Sequence, residues 1–180
     1  MLAHGAGLSG QLVATTSLRM PDDPRKLMPI SASTIKRSEL RELLSFWEAR
    51  CDGEMPPETG RFPPDELIPY LTNLIFAEIE EGTERIRYRQ VGEGLVEIYG
   101  KNLDGVYMDD MPRLFRNFAL PAYMDVLRRR QAVYGELRFL QKLWFVTYER
   151  LMLPLRASDS DRIAEIIVAI YPRIGPRKKP

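Results

Sequence analysis

Hydrophobic positions along this chain change their spacing three times, and each change predicts an element. Leu40, Leu43, Leu44 and Trp47 recur at i, i+3, i+4 and i+7, which predicts an amphipathic helix. Ser38 is placed to cap it, Glu39 and Glu42 lie in its first turn, and Gly53 with Pro56-Pro57 marks its end. A second short helix is expected from Pro63 or Pro64 through Leu71, with Leu67, Ile68 and Leu71 on one side. Both helices need an apolar surface to lie on. From Leu74 the pattern shortens to near-alternation, and LIFAEIE, the turn Glu81-Gly82-Thr83 and ERIRYRQV read as a hairpin. Ile86, Tyr88 and Gln90 should share one face of the second strand, and Arg87, Arg89 and Val91 the other.

Gly92 and Gly94 end that strand, and residues 95–130 read as helical pieces. Leu95, Ile98 and Tyr99 fit one short helix that Gly100 can stop in the left-handed conformation. Met111-Pro112 and Leu120-Pro121 are expected to interrupt the pattern before a last helix carrying Tyr123, Val126 and Leu127 and ending in Arg128-Arg129-Arg130. Three strand-like runs follow: VYGELRF, WFVTYERLMLPL and RIAEIIVAIY, the last two joined through Ser158-Asp159-Ser160-Asp161. Leu151, Leu153 and Leu155 alternate, so they belong to one core face, and IIVAIY is apolar on both faces, as a central strand covered on two sides would be.

A helical cover, two strands, short helices and three more antiparallel strands describe an α+β domain around one five-stranded sheet. The order of elements, the YRQVGEGLVEIYGKNLDG passage after the second strand, the ERLMLPL strand and the apolar final strand resemble a PAS sensor domain, and most of all a bacterial PAS-like subfamily of nearly free-standing chains. The resemblance covers about residues 38–171. It implies a PAS-like sheet in the order 2-1-5-4-3 and a PAS-like domain over 35–172; composition gives a flexible extension over 1–34 and a basic tail over 173–180.

Composition narrows the chemistry. Lys plus Arg total 26 against 25 for Asp plus Glu, so the net field is weak and no nucleic acid partner is expected. The lone histidine, His4, lies in a Gly, Ala, Ser and Thr-rich stretch, which leaves no support for Ser-His-Asp or Cys-His catalysis, structural zinc or histidine-ligated haem. Apolar runs fall short of the roughly 20 residues of a membrane span, and the N-terminus lacks the n- and h-regions of a secretory signal, so a cytoplasmic location is expected. The single cysteine, Cys51, excludes an internal disulfide.

What PAS domains hold between sheet and helices sets the candidate site. The resemblance implies that a flavin photosensor would carry its reactive cysteine on the helices after the second strand, whereas Cys51 precedes the sheet. Haem versions usually take a histidine from that same region, which has none. Neither cofactor is supported, and an unknown small metabolite is left. Tyr88, Tyr99, Tyr107 and Phe115 are candidates to line its pocket, with Leu151 and Leu153 behind them; the plainer reading makes these core residues. Arg89, a charge between aromatics on a strand, needs a ligand anion, solvent or a carboxylate such as Glu78 or Glu149.

Gly92-Glu93-Gly94 sits where a dinucleotide fingerprint would, but Glu97 stands where its third glycine belongs and no parallel βαβ unit follows. Asp109-Asp110 reads as a solvated pair, and the arginine run and Arg177-Lys178-Lys179 as a helix end and a solubilising tail. The expected function is a non-catalytic sensory or regulatory module that binds a small ligand or relays signals through protein contacts. Self-association or a signalling partner would carry its output. A ligand-free interaction or dimerisation module is the alternative. A cone-shaped enzyme of the ketosteroid isomerase type would need an interior acid, and the leucine-bearing face of 151–155 offers none.

Overall fold

A computed structural model describes residues 30, 32–141 and 144–172. The expectations for residues 1–29 and for 173–180 lie outside the described residues. Residues 32–34 form one 3-10 turn, which seats Ile35 in the interior ahead of the first helix.

Five strands, β1 (Leu74–Ile79), β2 (Ile86–Val91), β3 (Val133–Gln141), β4 (Trp144–Arg156) and β5 (Ile163–Pro172), form one antiparallel sheet in the order β2-β1-β5-β4-β3. The fold is PAS-like, with the strand order that the resemblance implies. β5 is central because it can be: Ile166, Val168 and Ile170 face one layer and Ile167, Ala169 and Tyr171 the other, all buried.

The first layer is the cover. Helix α1 (Ser38–Glu48) buries Leu40, Leu43, Leu44 and Trp47 against Leu151, Leu153, Leu155, Phe76 and Ile167. Its N-cap is Arg37; Ser38 is already helical, and its hydroxyl donates to the Glu39 carboxylate at 2.9 Å. Trp47 donates its indole N–H to the Pro154 carbonyl at 2.8 Å and ties the helix to β4. Pro154 is tolerated within a strand because β3 pairing ends at Met152, so its side of β4 needs no donor there. The expected second helix is one turn, α2 (Pro64–Leu67), followed by a 3-10 passage over Ile68–Asn73. The tighter winding turns Ile68 away from Leu67, leaving it 60% exposed rather than on the apolar side.

The second layer covers the other face with α3 (Glu93–Tyr99), the loop to Asp110 and α4 (Arg113–Arg129). Gly100 stops α3 with φ +72°, as its position predicts. Helix α4 corrects the expected break at Leu120-Pro121: it runs 17 residues through Pro121. One missing backbone donor is a local cost, and burial of Ala119, Tyr123 and Val126 along the same helix outweighs it. β2 also departs from strict alternation. Phe76 pairs with Gln90 but Ala77 with Tyr88, so Arg89 is an extra, bulged residue, and Val91 returns to the face of Ile86 and Tyr88.

Candidate functional site

The face beneath α3 and α4 carries the polar chemistry of the core. Tyr88 is fixed from both sides: β1 pairs along one edge of β2, and on the other the Tyr88 N–H donates to Val106 O at 2.9 Å while Gly105 N–H donates to Tyr88 O. Asp104 holds that loop, accepting from the Val91 N–H at 2.7 Å. The glycine-studded passage therefore covers the β2 edge and presents Tyr88 inward, 1% exposed.

Tyr123 on α4 meets it, with hydroxyl oxygens 3.2 Å apart and ring centroids 6.2 Å apart. Two hydroxyls have two protons, and the bond between them uses one, so one O–H can still donate to a third group. Tyr99, the last residue of α3, packs edge-on against Phe115 at 5.7 Å. Burial pushes the Tyr88 hydroxyl well above its ordinary value, raises Tyr99, and lifts Tyr123 to about 12. All three are neutral donors at physiological pH.

Among these hydroxyls lies the guanidinium of Arg150. β4 places it there: Leu151, Leu153 and Leu155 face the cover, so Tyr148, Arg150 and Met152 face α3 and α4. Arg150 is 8% exposed, and its Nε has no hydrogen-bond partner among the described residues. Burial lowers its proton affinity, and the titratable groups near enough to oppose that are the hydroxyls of Tyr123, Tyr99 and Tyr88; no carboxylate is among them. An arginine gives up its proton only far above neutrality, so this is a buried cation whose counter-charge the described residues do not supply.

Directly opposite Arg150 on β3 stands Gly135, so the two share a face. A Cβ built on Gly135 would meet nothing within 4 Å among the described residues. The strand is thus open beside the guanidinium. A cation, the hydroxyl protons left over by the Tyr88–Tyr123 bond and the apolar neighbours Phe115 and Met152 make an arrangement suited to hold an anionic group.

The structure brings Tyr88, Tyr99 and Phe115 together as the sequence reading groups them. Tyr107 stands at the rim instead, its hydroxyl donating to Glu80 at 3.0 Å and its ring under Arg85 at 3.9 Å. Leu151 and Leu153 lie on the opposite face of the sheet, in the cover layer. So does Arg89, which pairs with Glu165 at 2.6 Å rather than with Glu78 or Glu149. The bulge explains this: Glu78 stands across from Arg87 in register and takes it at 2.6 Å, while the extra residue reaches over β1 to β5. The pair borders a cleft of about 630 Å³ between α2 and the sheet. The pair is asymmetric, with Arg89 half exposed and Glu165 largely buried, and burial pushes the Glu165 carboxyl up while Arg89 opposes it.

Cys51 belongs to the cover side, its Sγ 3.5 Å from Trp47 O, and burial pushes its thiol up. Asp109 and Asp110 are not merely solvated: Arg85 reaches them at 2.9 and 3.8 Å. Arg128 and Arg129 both close onto Asp125. The leucine-bearing face of 151–155 carries no acid, as expected; two residues before Leu151 on the same face, Glu149 is 1% exposed and accepts from the Tyr134 hydroxyl at 2.9 Å.

Arg150, Tyr123 and Gly135 were missed as site residues. The alternation that puts Leu151, Leu153 and Leu155 on one face puts Tyr148, Arg150 and Met152 on the other, so a charge inside a doubly covered strand was readable in YERLMLPL. Its three hydroxyl neighbours come from α3, α4 and β2, which no local pattern connects.

Replacing Tyr123 with Phe gives a pH signature. A hydroxyl raised to about 12 in the fold stabilises fully below the unfolded value near 10, and that contribution is lost as pH rises through 12. Between those limits the wild type should lose about 1.4 kcal/mol per pH unit more than the Phe variant, one proton's worth. Urea denaturation midpoints from pH 8 to 12 measure the difference; parallel curves would show the hydroxyl reaches solvent.

No known family model matches this chain, and no curated protein matches it. Several solved structures are similar to part of it. A light-oxygen-voltage domain studied with a flavin analogue is 12% identical, over 61% of this chain and 83% of that one, with a TM-score of 0.44. The PAS domain of a protein from Colwellia psychrerythraea is 10% identical over 61% and 96%, TM-score 0.42. The light-state LOV domain of the photoreceptor Aureochrome1 is 13% identical over 61% and 88%, TM-score 0.42.

Proposed function

We propose that residues 35–172 form a PAS-like sensory or regulatory domain without catalytic activity of its own, which binds a small molecule between β3–β4 and the helices α3 and α4. Arg150 carries this reading: a cation 8% exposed, facing hydroxyls and open space beside Gly135, is matched by no carboxylate among the described residues. The pocket wall is formed by Tyr88, Tyr99, Phe115, Tyr123 and Arg150. Occupancy would change how α4 packs on the sheet, and output would pass to a second copy or a signalling partner.

Native mass spectrometry of the freshly purified chain, followed by a melting screen against a metabolite library, tests it. A ligand at 100 times its dissociation constant should stabilise the fold by about 2.7 kcal/mol. Gly135→Val, which suits a strand and meets open space, should fold normally and lose the response. A bare-chain mass with no melting shift from any compound would favour the ligand-free interaction module. An unchanged response in the valine variant would move the binding site elsewhere.

A further inference from the structure

We infer that the ligand is an organic acid carrying one carboxylate on a compact apolar body, its carboxylate lying against the Arg150 guanidinium. The inference rests on the ligand-binding reading above and adds the charge and shape of the guest. Among the described residues, Arg150 is the one buried cation on this face: Arg85 and Arg87 lie at the rim of the sheet, paired with Asp109 and Glu78. A single desolvated positive charge is neutralised by a single negative one. A phosphate group brings close to two charges at neutral pH and would leave the excess buried against apolar walls. A neutral guest would leave the guanidinium as it is.

Geometry agrees with charge. A guanidinium presents a planar fork of N–H donors, the complement of the two oxygens of a carboxylate. The Nε without a partner belongs to that fork. The spare hydroxyl proton of the Tyr88–Tyr123 pair is a further donor within the same cluster. The core around these donors is apolar, with Phe115, Val133 and Met152 in the same packed cluster. A dicarboxylate would drive its second charge into those side chains.

Matched acids and amides separate charge from shape. Benzoate against benzamide, hexanoate against hexanamide, and inorganic phosphate are titrated into the full chain at pH 7.5, with melting temperature and calorimetric affinity as readouts. The acids should bind at least tenfold tighter than their amides, and phosphate should give no shift. Arg150→Met should abolish the preference for acid over amide, while Arg150→Lys, keeping the charge without the fork, should retain part of it. Circular dichroism verifies that each variant folds, and the comparison on the wild type stands even if one does not.

Amides binding as well as acids, or an acid preference that survives in Arg150→Met, would overturn the carboxylate and leave the ligand-binding reading intact. Phosphate binding as tightly as the acids would overturn the single-charge argument. If no acid, amide or library compound shifts the wild type and its native mass is that of the bare chain, the binding reading itself fails, and the carboxylate with it.

Discussion

Arg150→Met is expected to raise the stability of the ligand-free chain, by about 1–3 kcal/mol. Arginine at this position has given up its hydration and faces neutral hydroxyls, with one nitrogen unpartnered and no carboxylate among the described residues. Methionine has a comparable unbranched stem and fills irregular apolar space without a charge to desolvate. For a domain of this size the gain corresponds to a melting temperature higher by about 2–4 °C per kcal/mol. Urea denaturation of both proteins, stripped of small molecules, measures it. A gain in stability with loss of ligand response is the pattern of a residue kept for binding. A variant less stable than wild type by more than about 2 kcal/mol would show that the tyrosine hydroxyls already satisfy the guanidinium, as removal of a well-bonded buried charge partner does.

Gly92→Ala should destabilise the fold by about 3 kcal/mol or more. Gly92 has φ −63° and ψ 146°, which any residue adopts, so its need for glycine is purely one of space. An added Cβ would lie 2.1 Å from Leu71 O and 2.5 Å from Thr72 C and O, all backbone atoms that cannot rotate aside. Those atoms end the 3-10 passage that leads into β1, and the Gly92 N–H donates to Leu74 O at 2.8 Å in the same place. Relief of the clash would require the cover and the α3 segment to separate. Gly135→Ala is the control, expected to cost under about 1 kcal/mol because its Cβ meets open space. Chemical denaturation of the two variants side by side decides the matter, and equal, small effects would refute the close approach. The glycine pair of this passage thus serves backbone contact, in keeping with the rejection of a phosphate-binding fingerprint.

Local pattern was enough for much of this fold. The spacing of Leu40, Leu43, Leu44 and Trp47 carries its own amphipathic face, Gly100 its own left-handed stop, and IIVAIY its own demand for burial on two sides, because each depends on neighbours within a few residues. That Tyr88 and Tyr99 turn inward was legible for the same reason, as aromatics on either side of the Gly92–Gly94 turn. Long-range geometry decided the rest. The bulge at Arg89 depends on how β1 pairs with β2, and it sent that arginine to Glu165 on the cover side. Pro121 is carried within α4 by burial that only the assembled core provides. Leu151 and Leu153 took the cover face because α1 lies there, which turned Arg150 toward the tyrosines. Sequence determined which residues could be buried; only the tertiary structure decided which buried charge faces no carboxylate among the described residues, since a counter-ion is a property of everything that surrounds the charge.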